Sequence, residues 1–251
     1  GVLQWHTFLG GTDNDGGYAL ALDGDGNVYV AGNSGATWGT PICAFAGGAD
    51  AYVAKLNSSG ALQWHTFLGG TDNDGNHALA VDGDGNIYVA GYTCATWGTP
   101  IRAFAGDLDV LVAKLSSSGV LQWNTFLGGT DSDVGTALVL DGAGNVYVAG
   151  YSRATWGTPI RPFVGGDADA YVAELNSSGA LQWHTFLGGT NDDRGYALAV
   201  DGDGNVYVAG YSLDTWGSPV RPYAGGDDAF VAKLSPALQA QCYLPVVCKN
   251  D

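Results

Sequence analysis

The chain has 251 residues, 41 of them glycine, and a formal net charge of −16 with only 14% charged residues. This charge argues against nucleic acid and anionic membrane surfaces as partners, because both attract basic patches. No apolar run approaches the roughly 18 residues of a membrane-spanning helix, so membrane insertion is not expected.

The chain is built from repeats of 59 or 60 residues. Each repeat contains four short runs rich in Val, Tyr, Leu, Phe and Trp, separated by Gly, Asp, Asn and Ser. In the second repeat the predicted strands cover residues 77–83, 86–93, 109–116 and 121–129. No window has the 3.6-residue apolar rhythm of a helix. Four strands in each of four repeats predict an all-β fold, a four-bladed β-propeller of four-stranded antiparallel blades.

The two ends of the chain predict how this ring closes. The last repeat supplies strands at about 196–201, 204–211 and 228–234, but no fourth strand follows them. A copy of the missing strand stands at residues 3–10. Its antiparallel pairing with residues 228–234 would remove an open sheet edge. The predicted organisation is therefore a closed propeller over residues 1–235 and a non-repeated tail over residues 236–251.

Three phrases recur in fixed order: "GNVYVAGYS", "DAFVAKLS" and "SSGALQWHTFLGGT". In these phrases residues 1–235 resemble the bacterial β-propeller repeat family known as SBBP. The family's name implies seven blades, whereas this chain has material for four. The resemblance implies a secreted or surface-attached bacterial protein and brings no established catalytic activity, so an extracellular or cell-surface location is expected.

The phrase D-G-D-G-N, residues 23–27 in its first copy, is interpreted as a tight hairpin turn. Asp, Gly and Asn tolerate the left-handed backbone of such turns. The third copy has Ala143 in place of Asp25, Asp84 and Asp203, and a strand follows where a calcium-binding EF-hand loop would continue to Glu.

A second acidic loop precedes each repeat's first strand and reads TDND, TDND, TDSD and TNDD in the four copies. A solvated, hydrogen-bonded turn is the favoured interpretation. Calcium is the alternative, because oxygen-bearing side chains occupy three successive positions in every copy. The candidate ligands are Asp13, Asp15, Asp72, Asp74, Asp131, Asp133, Asp192 and Asp193. No other cofactor is predicted.

The four cysteines interrupt the repeat. Cys43 stands where the other repeats have Arg102, Arg161 and Arg221, and Cys94 lies in the same loop of the next repeat. Of the three possible connectivities, Cys43–Cys94 with Cys242–Cys248 is favoured. These bridges would indicate an oxidising compartment. Zinc is less favoured, because no C-x-x-C or Cys/His cluster is present.

No catalytic constellation is apparent in the sequence. His6, His65 and His184 share one position in the repeat, but Asn124 replaces them in another copy. No nucleophile elbow, metalloprotease helix or phosphate-binding loop is present. The chain is therefore not expected to be an enzyme.

The long loop between the second and third strands carries "ATWGTPI" or "DTWGSPV" in every repeat. Packing of this tryptophan between adjacent blades is favoured. The alternative is a sugar platform in which the indole stacks on a pyranose and arginine binds hydroxyl groups. The platform would consist of Trp38, Trp97, Trp156 and Trp216 with Arg102, Arg161 and Arg221.

Two functions remain open. The first is a non-catalytic structural or scaffold protein that assembles with itself into extracellular fibres or arrays. Its tail holds an apolar cluster of Tyr243, Leu244, Val246 and Val247 that is predicted to contact another subunit. The second is a multivalent lectin-like module that binds surface glycans. The structural protein is slightly favoured, because near-identity runs through the whole repeat.

Overall fold

The computed structural model describes residues 1–235. The regular secondary structure of these residues consists of β-strands, with no helix among them. The fifteen strands are β1 (Asp15–Leu22), β2 (Val28–Ser34), β3 (Asp50–Leu56), β4 (Leu62–Leu68), β5 (Asp74–Val81), β6 (Ile87–Thr93), β7 (Asp109–Leu115), β8 (Leu121–Leu127), β9 (Asp133–Leu140), β10 (Val146–Ser152), β11 (Asp169–Leu175), β12 (Leu181–Leu187), β13 (Asp193–Val200), β14 (Val206–Ser212) and β15 (Asp228–Leu234). Within the described residues no helix is long and apolar enough to span a bilayer.

The strands form four antiparallel sheets, one for each repeat. Sheet 1 has the order β1-β2-β3-β4, sheet 2 β5-β6-β7-β8 and sheet 3 β9-β10-β11-β12, whereas sheet 4 contains only β13-β14-β15. The predicted all-β fold of antiparallel, propeller-like sheets is confirmed. In sheets 2 and 4 the first strand begins about three residues earlier than predicted. The reason is that the last Asp of the acidic loop already belongs to the strand.

The first strands lie innermost and contact one another in series, β1 with β5, β5 with β9 and β9 with β13. Each contains a bulge at one position, which directs the extra side chain out of the ladder. The bulged residues are Tyr18, His77, Thr136 and Tyr196. They line a common cavity of about 310 Å³, so the four sheets surround a shared axis.

Apolar side chains fill the space between adjacent sheets. Between sheets 1 and 2, Tyr29, Ala31 and Val53 pack against Val89, Leu111 and other residues of the facing sheet. Equivalent clusters lie between sheets 2 and 3 and between sheets 3 and 4. We call these contacts junction 1/2, junction 2/3 and junction 3/4. The near-continuous apolar runs of the strands reflect this burial on both faces.

The D-G-D-G-N phrase forms the turn between the first two strands of each sheet, as predicted. Asp23 Oδ1 accepts the backbone N–H groups of Asp25 and Asn27 at 3.1 and 2.9 Å. Gly26 has a φ of 77°, which favours glycine. Ala143 donates the same backbone hydrogen bond to Asp141, so the side chain of the third phrase residue is not needed for the turn.

The predicted pairing of residues 3–10 with residues 228–234 is wrong for this structure. Residues 1–14 form no strand, and β15 pairs only with β14. Instead, the N-terminal segment packs on sheet 1, where Leu9 contacts the cluster of Tyr52 and Phe67. The contacts that join successive first strands are not repeated between β13 and β1. The four sheets therefore surround one axis, but the ring is not joined between sheets 4 and 1. The predicted tail, with Cys242, Cys248, Tyr243, Leu244, Val246 and Val247, lies outside the described residues.

Candidate functional site

Three tryptophans of the long loops pack in the junctions, and Trp38 packs against the cluster of Tyr52 and Phe67 in sheet 1. Trp156 is only 4% exposed, and its indole stacks on His184 with ring centroids 3.8 Å apart and an interplanar angle of 5°. Trp38 stacks in the same way on His65 at 3.7 Å. Trp97 and Trp216 pack against the clusters of junctions 1/2 and 3/4. A sugar platform needs a free indole face, and Trp156 does not offer one.

The histidines of the fourth strands hold these loops in place through a hydrogen bond to the tryptophan carbonyl oxygen. His65 Nε2 lies 2.8 Å from the Trp38 carbonyl oxygen, and His184 Nε2 lies 2.7 Å from that of Trp156. Because a carbonyl only accepts, Nε2 must carry the proton. Asn124 donates from Nδ2 to the Trp97 carbonyl in the same place, which explains why Asn can replace His. Burial lowers the pKa of His65 and of His184, so both rings are favoured in their neutral form.

The arginines after the loops bind backbone rather than solvent. Arg102 donates from Nη1 to Phe126 O at 2.9 Å and from Nη2 to Gly128 O at 2.7 Å. Arg161 donates from Nη2 to Gly188 O at 2.8 Å. Each guanidinium also lies 5.4 Å from an indole of the next sheet, Trp156 or Trp216. Arg221 occupies the same position in sheet 4, where no fourth strand is present among the described residues.

Each junction contains a pair of buried carboxyl groups that sequence reasoning did not bring together. One comes from the start of a third strand and the other from the start of the next sheet's first strand. The pairs are Asp50 with Asp74, Asp109 with Asp133, and Asp169 with Asp193. All six residues are 0–1% exposed. The sequence signal was an Asp at the start of every third strand, in phrases such as "GGADA" and "GDLDV".

A glycine between the two carboxyl groups makes this close approach possible. A Cβ built on Gly69 would stand 2.6 Å from Asp74 Oδ2 and 3.0 Å from Asp50 Oδ1. At Gly128 the corresponding distances to Asp133 Oδ2 and Asp109 Oδ1 are 2.5 and 2.6 Å.

Burial and crowding raise the pKa of the paired carboxyl groups. Burial raises the pKa of Asp74 to about 6 and that of Asp133 to about 7, and the neighbouring carboxylate adds to both increases. Burial likewise raises the pKa of Asp169 to about 7. One proton or one cation at each pair would therefore relieve a real electrostatic cost.

The eight aspartates predicted as possible calcium ligands differ in burial and in their hydrogen-bond partners. Asp13, Asp72 and Asp131 are exposed, whereas Asp74, Asp133 and Asp193 are buried members of the pairs. Asp192 is nearly buried and bonded to Arg194 at 3.1 Å. Asp15 accepts the backbone N–H of Gly11 and the Ser34 hydroxyl. In residues 1–235 no group of three or more His, Cys, Asp or Glu side chains is arranged to hold a metal ion.

The predicted Cys43–Cys94 bridge is not formed, and both thiols are free. The backbone N–H of Cys43 bonds to the Thr66 hydroxyl, whereas that of Cys94 bonds to the Asn73 carbonyl. The two residues are thus held beside different segments, and Cys43 is exposed while Cys94 is half-buried. Burial raises the pKa of the Cys94 thiol, and the nearby Asp74 and Asp72 raise it further.

The repeats match a known family. The family model for the SBBP β-propeller repeat matches residues 4–37, 63–95 and 182–215. Three segments of the chain are therefore similar to SBBP β-propeller repeats. Each matched segment begins in a copy of the LQWHTFL phrase and ends in the loop that carries the junction tryptophan. The predicted resemblance is confirmed for these three segments.

Similarity to individual proteins is partial. Regulatory protein FlaEY of Caulobacter vibrioides is 34% identical over 144 residues, which are 55% of this chain and 15% of that protein. The chain therefore spans about 15% of the length of this curated relative.

Two solved structures resemble the fold only loosely. Hydrazine synthase of Kuenenia stuttgartiensis has a TM-score of 0.42 at 11% identity, covering 94% of this chain and 67% of that one. A protein of unknown function from Dyadobacter fermentans has a TM-score of 0.39 at 12% identity, covering 78% and 56%. Similarity at this level carries no conclusion about activity.

Proposed function

We propose that the protein is a non-catalytic structural module that assembles with itself, head to tail, at the cell surface or outside the cell. The observation that carries this proposal is that sheet 4 lacks a fourth strand, whereas residues 3–9, beside sheet 1, have the sequence of one. A groove of about 780 Å³ runs along β15 and is lined by residues 212, 214–224 and 228–233. In the other three sheets, the fourth strand fills the equivalent space.

The complete sheets define what fits this groove. In sheet 1, β4 pairs with β3 on one side, and on the other it bonds to the long loop through Ile42 N–H to His65 O and Phe67 N–H to Cys43 O. The strand that fills this place in sheets 1 and 3 reads LQWHTFL. Residues 3–9 have the same sequence and belong to no sheet. Residues 3–9 of a second copy are therefore the occupant that we propose.

The N-terminal segment is already placed as a fourth strand of a preceding sheet would be. Leu9 contacts Tyr52, Ala54 and Phe67, as Leu68 joins the cluster of Leu111, Ala113 and Phe126 in junction 1/2. The indole of Trp5 lies against Gly60, just as that of Trp64 lies against Gly119. Sheet 4 of a second copy would therefore complete a junction of the internal type.

The faces that would meet are apolar and uncovered. Val231 is 78% exposed, although Val53, Val112 and Val172 at the same strand position are fully buried. In the first strand of sheet 1, Leu20 and Leu22 are 64% and 62% exposed. The residues at the same positions in the first strands of sheets 2, 3 and 4 pack against the junction clusters. Burial of such side chains stabilises by about 1.5–3 kcal/mol each, which favours association.

Light scattering of the full chain over a range of concentrations tests the proposal. We expect concentration-dependent association, inhibited by a synthetic peptide of residues 1–11. Thr7→Pro should weaken association roughly a hundredfold, because it removes a ladder N–H opposite Val231 and proline is excluded from central strands. Thr7→Val is the matched control and should associate like the wild type. Neither substitution touches a hydrogen-bonded strand of the single chain.

Two outcomes would contradict self-assembly. If Thr7→Pro and wild type associate equally, the groove is not the contact. If the wild type is monomeric at all concentrations while the amides of residues 3–9 resist hydrogen exchange, the two ends close on one chain. Cell fractionation of the source organism tests the location separately.

A further inference from the structure

The first strands of the four sheets differ from one another where they face the shared axis. All four begin with Asp and have Ala-Leu at the fifth and sixth positions, whereas the second position is Gly, Gly, Val or Arg and the fourth is Tyr, His, Thr or Tyr. Val134, Arg194 and the four bulged residues line the cavity of about 310 Å³, which we call the axial cavity. Different polar side chains around one cavity are typical of a ligand site rather than of a repeated packing contact.

Arg194 is held in one orientation in the wall of the axial cavity. Its Nε donates to Asp192 Oδ1 at 3.2 Å, and its guanidinium lies over the Tyr151 ring, 4.5 Å from the centroid. Asp192 is only 9% exposed and also accepts the Tyr211 hydroxyl. In the part of the chain that the structure describes, the two Nη groups of Arg194 make no hydrogen bond. A guanidinium fixed in this way offers its remaining N–H donors to a ligand with little further loss of side-chain freedom.

Aromatic rings form much of the remaining wall. Tyr18 of sheet 1 and Tyr196 of sheet 4 are 59% and 48% exposed, so their ring faces and hydroxyl groups are accessible. Gly16 leaves room for Tyr18, because a Cβ at this glycine would stand 2.6 Å from the tyrosine hydroxyl oxygen. His77 packs edge-to-face on Tyr18 with ring centroids 5.9 Å apart. Burial lowers the pKa of His77, which favours the neutral ring and leaves one ring nitrogen as an acceptor.

The charges around the axial cavity favour a neutral ligand over an ion. A cation would meet the guanidinium. An anion would meet a chain of net charge −16, in which Arg194 is already paired with Asp192 at 3.1 Å. A purely apolar ligand would leave the guanidinium N–H groups without partners. A pyranose suits both parts of the wall, because its hydroxyl groups accept hydrogen bonds and its C–H faces pack on aromatic rings.

We propose that the axial cavity binds one neutral pyranose, with Arg194 donating to its hydroxyl groups and Tyr18 and Tyr196 packing on its C–H faces. The volume of about 310 Å³ is at the lower end for ligand cavities and suits a single sugar ring. The tryptophan loops would have offered four similar sites, whereas the axial cavity offers one site in each chain. All its lining residues come from one chain, so this site does not depend on head-to-tail assembly.

Isothermal titration calorimetry of the full chain with the methyl glycosides of glucose, galactose, mannose and N-acetylglucosamine tests the site. We expect at least one of them to bind with a Kd of about 1 mM or lower. The uronic acid of the same ring configuration should bind at least roughly tenfold more weakly, because it carries a negative charge. A glycan array distinguishes a polysaccharide end from a soluble sugar as the natural source, and binding of either form supports the site.

Two substitutions test the wall directly. Tyr196→Thr introduces the residue that sheet 3 has at the same position, and it should weaken binding roughly tenfold by removing an aromatic face. Arg194→Lys keeps the positive charge beside Asp192 but loses the planar fork, and it should also weaken binding roughly tenfold. Arg153→Lys, at an exposed position in a long loop, is the matched control and should bind like the wild type.

Proton NMR locates the sugar independently of affinity. The chain has four histidines, of which His77 lines the axial cavity, whereas His65 and His184 stack on tryptophans of the long loops. The sugar should shift the imidazole C–H resonances of His77 and leave those of His65 and His184 in place. His77→Thr, again the residue of sheet 3, assigns the resonance.

Three results would overturn the proposal. One is that none of the four glycosides binds at about 10 mM. Another is equal affinity in the wild type, Tyr196→Thr and Arg194→Lys. The third is a shift of His65 and His184 without a shift of His77, which would place the sugar at the tryptophan loops. Thr7→Pro should bind sugar like the wild type, so the sugar site and the head-to-tail assembly are tested separately.

Discussion

Sheets 2 and 3 and the two end sheets have nearly the same sequence, yet they differ in how much of it is buried. Sheet 2 is covered on both faces, and Leu111 and Leu115 are fully buried. Sheet 1 leaves the face of Leu20 and Leu22 open, and sheet 4 leaves that of Val231 open. Because the residues are the same, exposure at the ends is set by neighbours rather than by local sequence. A strand of this protein is stable only to the extent that another sheet covers it.

The largest expected effect compares two phenylalanines at one repeat position. Phe126 is fully buried in sheet 2, whereas Phe8 is 89% exposed in the N-terminal segment. Phe126→Ala should lower the free energy of unfolding by about 3–5 kcal/mol, because it leaves a cavity in the core. Phe8→Ala should change it by less than about 0.5 kcal/mol in dilute solution. Urea denaturation measures the change in unfolding free energy for both variants. Equal changes would mean that Phe8 is buried in the folded chain.

The next effect compares a paired carboxyl group with a single one. The pKa of Asp133 is raised to about 7, so its contribution to stability is present at acidic pH and lost as the pH rises through 7. Asp133→Asn should flatten the decline in unfolding free energy between about pH 4 and 7, a change on the order of 1–3 kcal/mol. Asp15→Asn, at the open end, is the control. If both variants keep the wild-type pH profile, Asp133 is not protonated in the folded protein.

A smaller effect with the opposite sign is expected from the histidines. Burial lowers the pKa of His184, so its contribution to stability is present above pH 6.5 and is lost as the pH falls from there through the lowered pKa of the folded state. His184→Asn should reduce this acid sensitivity, because Asn124 makes the same hydrogen bond without titrating. His6→Asn, in the exposed segment, is the matched control. An unaltered profile in His184→Asn would argue against burial of the ring.

The smallest effect is expected at the turns, where all four repeats are exposed alike. Asp25→Ala should change the unfolding free energy by less than about 0.5 kcal/mol, because the turn of Ala143 makes the same backbone bond. Calorimetry with and without calcium measures it. A calcium-dependent loss would contradict the interpretation of this phrase as a turn.

The sequence predicted what depends on neighbours along the chain. Short, nearly continuous apolar runs and the D-G-D-G-N phrase predicted the strands, the hairpins and the number of sheets. Strand β15 was predicted over the same residues that it covers in the structure, 228–234.

What the sequence did not predict depends on how sheets meet. The sequence suggested that Cys43 and Cys94 could bridge neighbouring repeats, but their backbones are held by different segments. It drew attention to Asp72 and Asp74 as one loop, whereas Asp74 actually faces Asp50 from another strand. Likewise the match between residues 3–10 and the missing strand was visible, but their position against sheet 1 follows from packing of Leu9 and Trp5.

The carboxyl groups at the two ends have a consequence for assembly. Asp15 begins β1 and Asp228 begins β15, and each occupies the position of one half of an internal pair. A head-to-tail joint would bring these halves together from two molecules. If a joint reproduces the raised pKa values of the internal pairs, its formation takes up a proton. The association constant would then increase by up to about tenfold for each unit of acidification. The proposed head-to-tail association would thus be stronger in mildly acidic surroundings and weaker in alkaline ones.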